Sequence, residues 1–261
     1  MVSKQYAYIH HPPSPEKLYK TAFHINFGEV DASGKATITS LSNYLQEAAW
    51  QHAMQYQAGY REMYKNNTAF VIHKMLLKLR CLPSWNDYII VETWLRPPQQ
   101  LHALREFTIR DAKLNLIAAA SIQYLAINTQ TRKIEQFPTV METAYLNAEF
   151  LDEEPANISI AKNNYSNTIH KVRPSDLDLN QHANNGKYLQ WVFDYMPFET
   201  NCQKHLCCVK INYKHEARLN DELNLFFIEK NNLIKIHGFN QTAGKTSFTA
   251  ELKYKCLPEK N

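Results

Sequence analysis

Asp178, Asn180 and His182 stand at alternate positions in Ser175-Asp176-Leu177-Asp178-Leu179-Asn180-Gln181-His182-Ala183-Asn184-Asn185. A carboxylate, an amide and an imidazole are side chains that hold, orient and move protons in hydrolytic sites. In extended backbone, residues two apart share a face. The spacing therefore predicts all three on one side, with Leu179 on the other. The run leads into Asn184-Asn185-Gly186-Lys187-Tyr188-Leu189-Gln190-Trp191, which reads as a helix start. A helix N-terminus presents unpaired N–H groups and partial positive charge, suited to an anion or a developing oxyanion. The same residues also read as a turn whose Asp and Asn side chains cap the helix. Residue type alone leaves both readings open.

A second carboxylate lies in Tyr213-Lys214-His215-Glu216-Ala217-Arg218. Glu216 sits past the end of a predicted strand. Turned inward, it would pair with His182 to activate water. Asn180 would then place the water or a carbonyl, and Asp178 would orient Asn180 or His182. On type alone, Glu216 reads as a solvated turn residue. Other reactive groups point elsewhere. His10 and His11 belong to an N-terminal arm, and His52 falls on an apolar helical face as a packing residue. Cys207 and Cys208 are neighbours in a strand, so they face opposite ways, and at least one is expected in the core. No G-x-S-x-G motif is present, and six glycines assemble no phosphate-cradling loop.

The elements that must position these residues come in two similar series. Residues 1–20 are polar and Pro-bearing. Leu41, Tyr44, Leu45, Ala48, Ala49, His52 and Ala53 have helical spacing, with Ser40 as the expected cap and Gly59 as the expected stop. Strands are predicted at 69–79, 88–95, 104–110 and 118–128. Residues 138–165 read as a linker. A short extended segment at 169–173 and a helix at about 184–196, stopped by Pro197, come next. Strands at 208–213, 222–229, 233–239 and 245–254 complete the pattern. Asn43-Tyr44-Leu45-Gln46 echoes Lys187-Tyr188-Leu189-Gln190, and Trp85-Asn86-Asp87 echoes Leu219-Asn220-Asp221. A helix followed by antiparallel strands, twice over, implies two duplicated α+β units.

The 261 residues are 44% hydrophobic and 21% charged, enough for a sizeable core. A net charge of +4, spread along the chain, gives no reason to expect nucleic acid. The five cysteines are odd in number and form no C-x-x-C, so neither a disulfide framework nor a zinc site is expected. There is no apolar signal core, and no run approaches the ~20 apolar residues that span a bilayer. The expectation is a cytoplasmic protein without metal or cofactor.

Val172-Arg173-Pro174-Ser175-Asp176-Leu177-Asp178-Leu179-Asn180-Gln181-His182-Ala183-Asn184-Asn185-Gly186-Lys187-Tyr188 resembles the active-site segment of acyl-acyl carrier protein thioesterases. Ser42-Asn43-Tyr44-Leu45-Gln46-Glu47-Ala48-Ala49, Trp85-Asn86-Asp87 with Val91-Glu92-Thr93-Trp94, Arg105-Glu106-Phe107-Thr108-Ile109-Arg110-Asp111 and Asn128-Thr129-Gln130-Thr131-Arg132 continue the likeness in order, from about residue 20 to 255. The resemblance implies an α+β double hot-dog, each half an antiparallel sheet wrapped around a helix. The first would span 21–140 and shape the acyl site. A linker would span 141–165, and the second, catalytic half 166–261. It implies hydrolysis of the thioester between a fatty acyl chain and the phosphopantetheine arm of acyl carrier protein.

By motif match the family's catalytic residues fall on Asp178, Asn180, His182 and Glu216. Backbone N–H groups of Asn184, Asn185 and Gly186 would hold the oxyanion. Many plant members carry Cys directly after the Glu. Ala217 stands here, which leaves water as the attacker. Leu82 occupies the place of Glu216 in the first half, so one active site per chain is expected. The competing readings are an acyl-coenzyme A thioesterase, a non-catalytic acyl-binding module and a dehydratase of the same fold. Oligomeric state stays open, a homodimer included.

Overall fold

Along Leu233–Asn240 every second residue is buried, from Ile234 onward. This is the period-two signature of a strand with one face on a core. The computed structural model describes residues 17–99, 101–146, 148, 150–160, 166–196 and 205–255. The expectations for His10, His11, most of the 1–20 arm, Pro197, Cys202 and Cys256 fall outside the described residues. The strands are β1 (Tyr19–His24), β2 (Thr68–Leu79), β3 (Tyr88–Leu95), β4 (His102–Asp111), β5 (Leu116–Asn128), β6 (Ile134–Glu135), β7 (Ser166–Lys171), β8 (His205–Tyr213), β9 (Glu222–Lys230), β10 (Leu233–Asn240) and β11 (Lys245–Lys255). The helices are α1 (Ile38–Gln55), α2 (Tyr60–Lys65) and α3 (Asn185–Asp194).

The strands form one antiparallel sheet ordered β1-β3-β4-β5-β2-β8-β11-β10-β9-β7, with β6 on β5. Read from either edge, the order is the same if β1, β2, β3, β4 and β5 are exchanged for β7, β8, β9, β10 and β11. The two halves meet where β2 pairs with β8, from Lys74 opposite Asn212 to Lys78 opposite Cys208. This is the expected tandem hot-dog. One core joins both halves and includes Leu45 of α1, Phe107 of β4, Leu189 of α3 and Phe248 of β11.

Helix α1 buries Leu41, Tyr44, Leu45, Ala48 and Ala49 on one face, as their spacing requires. Its cap is Thr37, whose Oγ1 accepts from the Ser40 N–H at 3.1 Å. Ser40, expected as the cap, lies inside the helix and donates to the Glu29 carbonyl. The helix ends at Tyr56, before the left-handed Gln57 (φ 55°). Gly59 instead caps the start of α2. Helix α3 is capped by Asn184 and stands against α1. A Cβ on Gly186 would lie 2.6 Å from Asn43 Oδ1, so the helices approach this closely only because residue 186 lacks a side chain. The Tyr-Leu-Gln echo is out of register. Tyr44 lies two turns past its cap, whereas Tyr188 lies one turn past Asn184.

The stretch read as a linker is docked across the junction of the halves. Trp94 Nε1–H donates to the Ala148 carbonyl at 2.8 Å. Lys78 of β2 meets Asp152 at 2.7 Å, and Lys210 of β8 pairs with Glu153. Ile158 N–H donates to Asn212 Oδ1 at 2.8 Å.

Candidate active site

Residues 177–183 do not run straight. An isolated bridge joins Leu177 to Ala183 and closes a tight turn. Asp178 N–H donates to the His182 carbonyl (2.8 Å), Gln181 N–H donates to the Asp178 carbonyl (3.0 Å), and Gln181 is left-handed at φ 62°. The extended alternation is thus corrected. Three polar residues with a turn-forming Asp at their head fold back instead. Asp178 Oδ1 accepts from the backbone N–H groups of Asn180 (2.8 Å) and His182 (3.3 Å), so it orients both through the main chain. Leu179 projects to solvent at 87% exposure.

The first half builds the same turn without the same chemistry. Asp31 Oδ1 accepts from Ser33 N–H (2.9 Å) and Lys35 N–H (3.2 Å), and Gly34 takes the left-handed place of Gln181 (φ 73°). Ala36 N–H donates to the Pro83 carbonyl as Ala183 N–H donates to that of Ala217, both at 2.8 Å. Asn86 and Asn220 share φ 69°. Asp31, Ser33, Lys35 and Leu82 therefore stand where the second half has Asp178, Asn180, His182 and Glu216. Since Asp31 holds its turn beside no reactive set, this arrangement makes Asp178 a builder of the turn.

Glu216 is delivered by its neighbour. Ala217 is fully buried, its N–H donating to the Tyr188 hydroxyl of α3 at 3.0 Å and its carbonyl held by Ala183. Glu216 thereby points back to the turn, where Oε2 lies 3.2 Å from His182 Nε2. Its Oε1 pairs with Arg132, from the turn between β5 and β6 in the first half. Asn180 Oδ1 accepts from the Tyr60 hydroxyl of α2 at 3.1 Å. Asp178, Asn180, His182 and Glu216 are thus gathered as the motif implied. Tyr60 and Arg132 are partners that residue-by-residue reading missed. The only signal in the sequence was the Asn128-to-Arg132 phrase, which gave Arg132 no role.

The oxyanion expectation narrows to one residue. Asn184 N–H donates to the Asp176 carbonyl and Gly186 N–H to Asn184 Oδ1, both at 2.8 Å. Asn184 N–H is thus taken by the preceding turn and Gly186 N–H by the cap, a correction for Asn184 and Gly186. Asn185 N–H has no partner among the described residues, and Asn185 lines the adjoining cavity.

That cavity measures about 1550 Å³, beyond the roughly 300–1,000 Å³ of ordinary small-ligand pockets. First-half apolar residues wall it, among them Ala49, Ala53, Met63, Phe70, Leu95 and Phe137. The second half contributes Asp178, Asn180, His182 and Glu216. Arg105 also reaches the wall. It is buried, bonded to His52 Nδ1 at 2.8 Å, and burial pulls its guanidinium down to about 10. His52 is the packing residue expected, fully buried and stacked on Tyr19. Cys207 and Cys208 are both only partly buried and neither lines the cavity, so the expectation of a core cysteine fails. Burial pushes the Cys208 thiol up to about 11, which disfavours its thiolate near neutral pH.

Two family profiles cover this architecture. The acyl-ACP thioesterase N-terminal domain matches residues 16–145, and the acyl-ACP thioesterase C-terminal domain matches 159–255. The chain belongs to the acyl-ACP thioesterase family. Within that family it is 28% identical over 218 residues to the chloroplastic acyl-[acyl-carrier-protein] hydrolase FATB2 of Cuphea viscosissima, a match covering 77% of this chain and 52% of that one. It is 27% identical over 226 residues to the chloroplastic oleoyl-acyl carrier protein thioesterase 2 of Arabidopsis thaliana, covering 78% and 60%. The chain thus spans about half the length of the relatives it matches. Two solved acyl-ACP thioesterase structures share the fold. That from Bacteroides thetaiotaomicron has TM-score 0.84 and 23% identity, over 92% of this chain and 98% of the other. The 12:0-ACP thioesterase from Umbellularia californica has TM-score 0.82 and 22% identity, with the same coverage.

Proposed function

We propose that the chain hydrolyses the thioester of fatty acyl-acyl carrier protein, releasing a fatty acid and the carrier thiol. The observation that carries this reading is the His182–Glu216 pair, 3.2 Å apart, on the wall of a large cavity lined in part by first-half apolar residues. An acyl chain lies among the first-half apolar residues, and its thioester stops at the turn. Water attacks the carbonyl carbon while Glu216 takes its proton, using lone pairs left beside its two partners. Asn180 Nδ2–H and Asn185 N–H hold the oxyanion that forms. Collapse breaks the C–S bond, and the proton returns from Glu216, directly or through His182, to the leaving thiolate. No covalent acyl-enzyme is needed, consistent with Ala217 beside Glu216. Every group named lies in one chain.

Acyl carrier protein is the proposed carrier because the family's relatives are named for it. The chemistry is equally open to acyl-coenzyme A. Thiol release should be measured on both carriers with acyl chains of graded length, for the unaltered chain and Glu216→Ala. Faster turnover on the protein carrier that weakens with salt is expected, as is its near-complete loss in Glu216→Ala. Equal rates on both carriers would shift the substrate to coenzyme A esters. Ligand retention without thiol release would make this a binding protein.

A further inference from the structure

We infer that the first half completes the active site of the second: Tyr60 sets which way the Asn180 amide faces, and Arg132 holds the Glu216 carboxylate against His182. This rests on the hydrolase reading above and assigns positioning residues to a half otherwise taken only to shape the acyl site.

Tyr60 opens α2, directly after the Gly59 cap. Its ring stacks on Tyr64 (centroids 5.7 Å) and leans on Trp50 (6.2 Å), so the hydroxyl is held in place. It donates to Asn180 Oδ1 at 3.1 Å. With its oxygen occupied, the Asn180 amide keeps two N–H donors for a substrate oxygen. Without Tyr60, nothing else among the described residues bonds the Asn180 side chain, and either face of the amide can meet the substrate.

Arg132 stands in a turn built to hold it. Asn128 Oδ1 accepts from Gln130 N–H (3.0 Å) and Thr131 N–H (2.9 Å), and Arg132 N–H returns to the Asn128 carbonyl at 2.9 Å. Arg132 itself is left-handed at φ 60°, a conformation most side chains avoid. The guanidinium takes Glu216 Oε1 while His182 takes Oε2, so the carboxylate is fixed between cation and imidazole. The Arg132 and Glu216 side chains are 49% and 35% exposed. Pairs this open contribute little to stability, so their effect should appear in turnover.

The test uses a short acyl-N-acetylcysteamine thioester, which has no carrier to dock. Arg132→Met, Arg132→Lys and Tyr60→Phe are compared with the unaltered chain and with Lys133→Met, a neighbouring charge. Arg132→Met should lower kcat about 10- to 100-fold with KM little changed. Arg132→Lys should recover part of that loss. Tyr60→Phe should lower kcat about tenfold, again with KM little changed. Lys133→Met should behave as the unaltered chain, and all melting temperatures should agree closely. Unaltered turnover in either Tyr60→Phe or Arg132→Met would overturn that residue's role. Losses matched by falling melting temperature, with no recovery of kcat in Arg132→Lys, would make the contacts merely structural. Absence of thiol release by the unaltered chain would remove the hydrolase reading and this inference with it.

Discussion

Lys35 and His182 occupy the same place in two copies of one turn. Each gives its N–H to the Oδ1 of an Asp, Asp31 for Lys35 and Asp178 for His182, and each accepts from that Asp's own N–H at 2.8 Å. Their side chains differ in fate. Lys35 Nζ donates to Ser84 Oγ at 2.8 Å, while His182 meets Glu216. His182→Ala should lower turnover by about a hundredfold or more, and Lys35→Ala should leave it unchanged. Thiol-release rates of the two variants check this. Equal losses would mean that both turns act.

Ala217→Cys places a thiol directly after Glu216, the arrangement the resemblance gives for many plant members. Ala217 is fully buried, so the sulfur would enter the core. Overpacking should cost about 1–3 kcal/mol, and turnover should still proceed through water. Mass spectrometry of the variant quenched during turnover should find no acylated enzyme. Accumulation of a thioester on residue 217 would contradict the water mechanism.

Gly186→Ala places a Cβ against Asn43 Oδ1 at 2.6 Å and Asn184 Oδ1 at 3.3 Å. The variant should lose about 1–3 kcal/mol, with turnover falling as the α3 cap shifts. Adding Asn43→Ala should return part of the stability, which denaturant titration of the double-mutant cycle would show. Strict additivity would mean that the helices do not meet at this point.

Glu106 is a buried carboxyl whose burial pushes it up to about 7, outweighing Ser121 and Arg96, which pull it down. The folded chain therefore holds this proton more tightly than the unfolded chain does. The resulting stability is present in full below the ordinary carboxylate range and is lost as pH rises through about 7. Glu106→Gln stays neutral, so it should match the unaltered chain near pH ~4 and exceed it by about 1–3 kcal/mol near pH ~8. Melting curves across that range decide the matter, and parallel pH dependence in the two proteins would refute it.

Strands such as Tyr88–Leu95 were legible because β-branched and aromatic residues crowd them, as suits a half-buried pleated surface. Tyr19–His24 was not, since an edge strand of six residues with mixed burial carries little period. The turn at Asp178 was misread for a physical reason. Polar residues at every second place fit an extended face, but Asp Oδ1 also fits the N–H groups two and four positions on. The sequence held a second clue in Asp31-Ala32-Ser33-Gly34, where Gly34 marks the left-handed residue that Gln181 hides. Arg132 was beyond reach. Its partner is on the other half of the sheet, and no local pattern announces a contact of that range.

The junction of β2 and β8 has a consequence for symmetry. Two identical subunits joined at that seam would each have to carry the same residue at equivalent places, whether His or Lys, Glu or Leu. A single chain is free of that rule. Tying the copies end to end lets one keep the reactive turn while the other surrenders it, and lets the silent copy reach over with Tyr60 and Arg132.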